Sequence, residues 1–153
     1  DQRQLDTIQG YVQKGTEEGA KLVYGGKVME HPQGGFFHEP TIFAEVDNKM
    51  TIAQEEIFGP VVSVIRFKDA ADAVRIANDS PYGLAGAVWS LNINTAHKVA
   101  AAVRTGTMGV NNYFGGDITV PFGGFKESGN GRDKSLHAMD DYTELKTTWI
   151  EFE

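Results

Sequence analysis

The sequence predicts an α/β fold whose main strands pair in parallel. Between residues 61 and 110, apolar runs of strand length alternate with segments of helical period over short connections. Such alternation is best satisfied by parallel pairing through crossovers, with the helices packed on the sheet faces. Glycine supplies 18 of the 153 residues, without a low-complexity period, so many backbone positions need positive φ or close approach.

The elements follow in order. Leu5, Ile8, Tyr11 and Val12 recur at helical spacing and predict an amphipathic helix limited by Gly15 and Gly19. Residues 21–24 read as a short strand stopped by Gly25-Gly26, residues 31–40 as a loop of Gly, Pro and aromatics, and residues 41–46 as another strand. The β-branched run 61–67 predicts a buried strand. Asp69 and Asp72 stand as N-cap and N3 of a helix with Ala70, Ala73, Val74 and Ala77 on one face, ending before Ser80-Pro81. Residues 84–89 form a second apolar run. Asn94 is then expected to cap a helix carrying Ala96, Val99, Ala100 and Val103, which Gly106 ends before a third run at 108–110. Residues 111–132 show no sustained period and are rich in glycine and aromatics, which predicts a long ordered loop of functional use. The last twelve residues, 142–153, alternate Leu145, Thr147 and Trp149 against Thr148, Ile150 and Phe152, a strand that needs cover on both faces.

Composition excludes several functions. Lys plus Arg number 14 against 21 Asp plus Glu, a net charge of -7, so the basic footprint that phosphate backbones or anionic lipids require is missing. No apolar run approaches the roughly 18 residues of a membrane span. Neither nucleic acid nor a membrane is expected as a partner. Cysteine is absent, which removes disulfides, thiolate metal sites and thiol nucleophiles from these residues. The histidines at 31, 38, 97 and 137 lack partners at metal-ligand spacing, so no metal site is expected. The chain opens on Asp1 without a signal peptide, and reads as a piece of a longer, cytoplasmic protein.

Three motifs bear on chemistry. Gly123-Gly124-Phe125-Lys126-Glu127-Ser128 lacks the glycine before Lys and the Ser or Thr after it that a phosphate loop needs. Ser128-Gly129-Asn130-Gly131-Arg132 suits a positive-φ turn, or an anion held by backbone donors. Glu55-Glu56-Ile57-Phe58-Gly59-Pro60 sets a carboxylate two residues from an aromatic ring. A carboxylate can accept both hydroxyls of a ribose diol and an aromatic can pack on the attached ring, while the plain alternative is a solvated acidic turn beside a core Phe.

Together with Ser80-Pro81-Tyr82-Gly83-Leu84-Ala85, Gly109-Val110-Asn111 and the stretch from Pro121-Phe122-Gly123-Gly124 through Gly131-Arg132, this motif resembles the C-terminal third of NAD(P)-dependent aldehyde dehydrogenases in order and spacing. The resemblance implies the parallel-sheet, three-layer part of that family's catalytic domain over residues 1–141, and a C-terminal oligomerisation strand over 142–153. It implies a parent enzyme, a homo-oligomer, that oxidises a small-molecule aldehyde with NAD or NADP through a cysteine thiohemiacetal and thioester. The nucleophilic cysteine, the deacylating glutamate, the oxyanion asparagine and the dinucleotide domain precede the matching region, so no catalytic residue maps here. The matching positions imply Glu56 as the ribose-diol carboxylate, Phe58 beside the nicotinamide, and Gln4 at the same cofactor end. Phe122 matches an aromatic of the aldehyde tunnel, and Phe114 and Gly116 fall where the family varies its tunnel wall. Gly116 replaces a bulky aromatic common there, and Asp133 replaces a commoner glutamate. The run from Ser128 to Ala138 is similar to members acting on γ-glutamylamino or other aminoaldehydes. A binding or assembly module that kept the fold without the chemistry is the alternative.

Overall fold

The computed structural model describes residues 1–113 and 115–153, which cluster into two units, Asp1–Asp79 and Ser80–Glu153. In the first, helix α1 (Gln2–Glu17) starts where the Asp1 carboxylate accepts from Gln4 N, 2.9 Å away. Leu5, Ile8, Val12 and Gly15, spaced by three and four residues, form its buried face. The helix runs through Gly15, which was expected to limit it. A Cβ at Gly15 would stand 2.8 Å from Ile52 Cδ1 and 3.4 Å from Phe43 Cζ, so glycine here serves close packing.

Strand β1 (Lys21–Tyr24) follows, then a two-residue-per-strand hairpin of β2 (Val28–Met29) and β3 (Phe37–His38), and β4 (Thr41–Ala44). Helix α2 (Thr51–Gln54) leads through the 55–60 loop to β5 (Val61–Ser63), and α3 (Ala70–Asn78) closes the unit. The sheet order is β1-β4-β5, antiparallel between the first two and parallel between the last two. Phe43, fully buried, centres a core with Ile8, Val12, Val46, Ile52 and Ile57. The strand expected over 61–67 forms its regular ladder only over Val61–Ser63, because Glu45, with φ 57, interrupts the partner just after β4, beyond which Val46 N still donates to Val64 O at 3.3 Å. The Asp69 cap and its N3 partner Asp72 form as expected, with Asp69 Oδ1 accepting from Asp72 N at 2.9 Å.

Helix α2 has no capping side chain of its own, since Met50 stands at its N-cap. Glu18 supplies one from the end of α1: its carboxylate accepts from Thr51 Oγ1 at 2.6 Å and from Thr51 N at 2.7 Å. The Thr51 hydroxyl foremost, with the Thr51 amide and Lys14, holds the Glu18 carboxyl below its ordinary value. A carboxyl depressed in the folded state contributes stability above its unfolded pKa and loses it as pH falls through the folded one. Thermal midpoints of wild type and Glu18→Gln should therefore differ most above about pH 4.5 and converge below it. A difference that stays constant to pH about 3 would contradict the link between the carboxylate and the cap.

In the second unit, β6 (Tyr82–Gly83) precedes β7 (Ala85–Val88), α4 (Ile93–Ala102), β8 (Thr107–Val110), β9 (Phe125–Lys126) and α5 (Ala138–Asp141). Strands β7 and β8 pair in parallel through α4, as the alternation predicts, and the fully buried Ala96 seats the helix. The cap of α4 is Asn92, not Asn94: Asn92 Oδ1 accepts from Thr95 N at 3.1 Å, and Asn94 lies inside the first turn. Strands β6 and β9 pair antiparallel. Residues 142–153, expected as a strand, form no ladder among the described residues, because no strand edge of this chain pairs with them. Trp149 is left 89% exposed.

Candidate functional site

The 55–60 loop is pinned at several points within the first unit. Ile57 is buried in the core, so its neighbours Glu56 and Phe58 face outward. Phe58 takes φ 52, a left-handed conformation that costs a non-glycine residue roughly 1–2 kcal/mol. Gln4 offsets that strain from α1: its side-chain amide donates to Phe58 O at 2.9 Å and to Ile57 O at 3.3 Å. Gly59 packs so tightly beneath α1 that a Cβ there would lie 2.6 Å from Ile8 Cγ1. On the other side of the loop, Thr41 N donates to Pro60 O at 2.7 Å, and Val61 N to Gly59 O at 2.8 Å.

The result is a rigid corner that presents one ring and one carboxylate to solvent. Phe58 is 75% exposed, an unusual position for a ring held in a strained and well-fixed backbone. The two glutamates differ. Tyr11 OH donates to Glu55 Oε2 at 2.8 Å, which ties that side chain to α1, while Glu56 extends into solvent. A concavity of about 300 Å³ lies along the loop, lined by Glu56, Phe58, Ala53, Ser63 and Ile65 among others. Glu56 and Phe58 thus line one concavity. Gln4 does not line it but braces the loop, its side-chain amide donating to the carbonyls of residues 57 and 58. The plain alternative fails for the ring, since the core residue of this motif is Ile57 and not Phe58.

The positions assigned to the aldehyde lie in the second unit. Phe122 forms an isolated antiparallel bridge with Asp133, each amide donating to the other's carbonyl at 2.8 and 2.7 Å. Its ring carries the Lys134 ammonium 5.5 Å from its centroid. Gly116 has φ +129, so glycine is favoured there by the backbone, while a Cβ would make only an ordinary contact with Val120 at 3.6 Å. Phe114 lies outside the described residues. The 128–132 run resolves as a turn: Gly129 has φ +111, Ser128 N and Gly129 N donate to Phe125 O and Lys126 O, and Arg132 Nη1 donates to Gly124 O at 2.8 Å. Of the backbone donors of this run, those of Ser128 and Gly129 are committed within the loop and that of Arg132 to the Asp141 carboxylate. No group of three metal-ligating side chains occurs among the described residues, and no helix among them is long and apolar enough to cross a membrane.

Three features escaped the sequence: the two bonds of Gln4, the Tyr11–Glu55 tie and the cation over Phe122. Each joins residues distant in sequence, and only Gly59, a glycine next to proline before a buried strand, signalled a close approach.

The profile of the aldehyde dehydrogenase family matches residues 1–148. The chain is 46% identical over 148 residues to the NADP/NAD-dependent aldehyde dehydrogenase PuuC of Escherichia coli (strain K12), covering 97% of this chain and 29% of that protein. It is 61% identical to the aldehyde dehydrogenase KauB from Pseudomonas aeruginosa, with a TM-score of 0.93 over 99% of this chain and 31% of that one. A Mycobacterium tuberculosis aldehyde dehydrogenase complexed with NAD+ is 49% identical, with a TM-score of 0.90 over 94% of this chain and 30% of that one. The chain therefore spans about three tenths of the length of these relatives.

Proposed function

This chain belongs to the aldehyde dehydrogenase family, and from that premise we propose that it is the C-terminal portion of an enzyme that oxidises an aldehyde to a carboxylic acid with NAD(P)+. The observation that carries the reading is the Gln4-held corner, with the Phe58 ring and the Glu56 carboxylate exposed on one concavity. Its donors and acceptors fit the nicotinamide riboside. An ionised carboxylate accepts from two adjacent hydroxyls, and an exposed ring offers a flat apolar face. When bound, NAD(P)+ supplies the hydride acceptor. Glu56 binds the ribose, Phe58 packs beside the nicotinamide, and Gln4 fixes the loop from which both project. Phe122 and Gly116 form part of one wall of the aldehyde tunnel. The cysteine that forms the thiohemiacetal, and the glutamate that assists thioester hydrolysis, come from parts of the enzyme beyond these residues. The run Ser128-Gly129-Asn130-Gly131-Arg132-Asp133-Lys134-Ser135-Leu136-His137-Ala138 supports γ-glutamylamino or other aminoaldehydes as the substrate class.

The coding sequence upstream tests the reading. It should encode a thiol-bearing catalytic motif and a glycine-rich dinucleotide turn ahead of this region. An open reading frame that supplies neither would favour a non-catalytic module with the same fold.

Residues 1–141 then belong to the catalytic domain and residues 142–153 form a strand that completes a sheet with a neighbouring subunit. Leu145, Trp149, Ile150 and Phe152 stand exposed in this chain, and apolar side chains on both faces of one segment require cover from two sides. Light scattering over a concentration series, on the whole chain and on one ending at Asp141, should show association that the truncation removes. Equal association of the two would assign it to other apolar surface, and two monomers would rule the strand out.

A further inference from the structure

We propose that Lys134 determines substrate specificity, its ammonium standing over the Phe122 ring to receive a carboxylate carried by the aldehyde at its far end. The proposal rests on the reading of Phe122 as a wall of the aldehyde tunnel, and it names the charge class of the substrate within that reading.

The backbone is built to hold this lysine where it is. Lys134 and Ser135 both adopt left-handed conformations, with φ 62 and 53, although neither is glycine. Two successive residues of this kind persist only where the surroundings over-determine them. The surroundings here are the paired bonds between Phe122 and Asp133 on one side of Lys134, and the bond from Ser135 N to Ile118 O, 2.7 Å, on the other. Three consecutive residues, 133–135, are thereby laid along the segment that carries Phe122.

The ammonium is placed but not consumed. It lies 5.5 Å from the centre of the Phe122 ring, and among the described residues it forms no salt bridge and no hydrogen bond. A lysine has three donors and a ring face satisfies none of them fully. The Lys134 charge acts on Asp117, whose carboxylate is already engaged by Thr119: the Thr119 hydroxyl and amide both donate to Oδ1. Those two bonds, with the Lys134 charge a smaller contributor, hold the Asp117 carboxyl below its ordinary value. Asp117 is occupied while Lys134 keeps its donors. The segment it lies against, which carries Phe122 and gives the Ile118 carbonyl to Ser135 N, bears exposed apolar side chains at Ile118, Val120 and Phe122. An apolar wall with one oriented cation is the pattern of a site that accepts a carbon chain ending in an anion.

The test uses the full-length enzyme and three aldehydes of similar length: 5-oxopentanoate, its methyl ester, and an aldehyde ending in a trimethylammonium group. Wild type should favour the carboxylate. Lys134→Met should lower kcat/KM for 5-oxopentanoate by roughly tenfold or more, with the ester within about twofold, and Lys134→Arg should restore most of the loss. On wild type alone, raising the salt concentration should raise KM for the carboxylate and leave that for the ester unchanged, which keeps the test valid if a variant does not fold. Equal losses on acid and ester, no loss on either, or a wild-type preference for the trimethylammonium aldehyde would overturn the proposal while leaving aldehyde oxidation standing. Turnover of none of the three would overturn both.

Discussion

The purified 153-residue chain is expected to form no NADH from any aldehyde. Hydride leaves readily from a tetrahedral adduct, not from a planar aldehyde, and in the proposed mechanism that adduct is built by a thiolate. The chain contains no cysteine. The corner of Glu56 and Phe58 alone supplies neither the nucleophile nor the remainder of a dinucleotide site, and without both the reacting atoms are never held within attack distance. Positioning of that kind accounts for roughly 7–11 kcal/mol of a barrier, so its loss removes observable turnover. Aldehyde-dependent growth of NADH absorbance, with a sample shown by intact mass to contain only this chain, would contradict the account.

In the full-length enzyme, Glu56→Gln is expected to slow hydride transfer by about ten- to a hundredfold while overall NAD+ affinity changes by no more than a few-fold. The amide keeps the size of the side chain but offers a single acceptor oxygen, so one ribose hydroxyl loses its partner. Contacts to the rest of the dinucleotide lie elsewhere and persist. The cost therefore falls on the orientation of the nicotinamide rather than on binding. Because Ile57 anchors the loop and Gln4 holds its carbonyls, the substitution leaves the corner itself in place. Single-turnover kinetics separate the two effects. Unchanged rate together with unchanged affinity would make Glu56 a solvated surface residue.

The local pattern of the chain was readable where neighbours in sequence decide the structure. Leu5, Ile8 and Val12 marked the buried face of α1, Asp69 and Asp72 marked the start of α3, and the two apolar runs flanking α4 became a parallel pair. Reading failed where a distant residue intervened. Gly15 looked like a helix stop and proved to be the point where α1 touches Ile52 and Phe43. The run 61–67 has strand chemistry throughout, yet its regular ladder stops at Ser63, where the left-handed Glu45 interrupts the partner after β4. Residues 142–153 carry the alternation of a strand, yet none of the described strands pairs with them. The same division holds at the site. Glu56 and Phe58 are visible as a motif, whereas the strained φ of Phe58 and the two bonds of Gln4 that sustain it follow only from packing α1 over the loop.

A crystal structure of the full-length enzyme with NAD+ tests the central claim most directly. The account predicts the Glu56 carboxylate within hydrogen-bond distance of both nicotinamide-ribose hydroxyls, the Phe58 ring against the nicotinamide ribose or ring, and the Gln4 amide still on the carbonyls of residues 57 and 58. A ribose held by other residues, with Glu56 and Phe58 both turned to solvent, would contradict it.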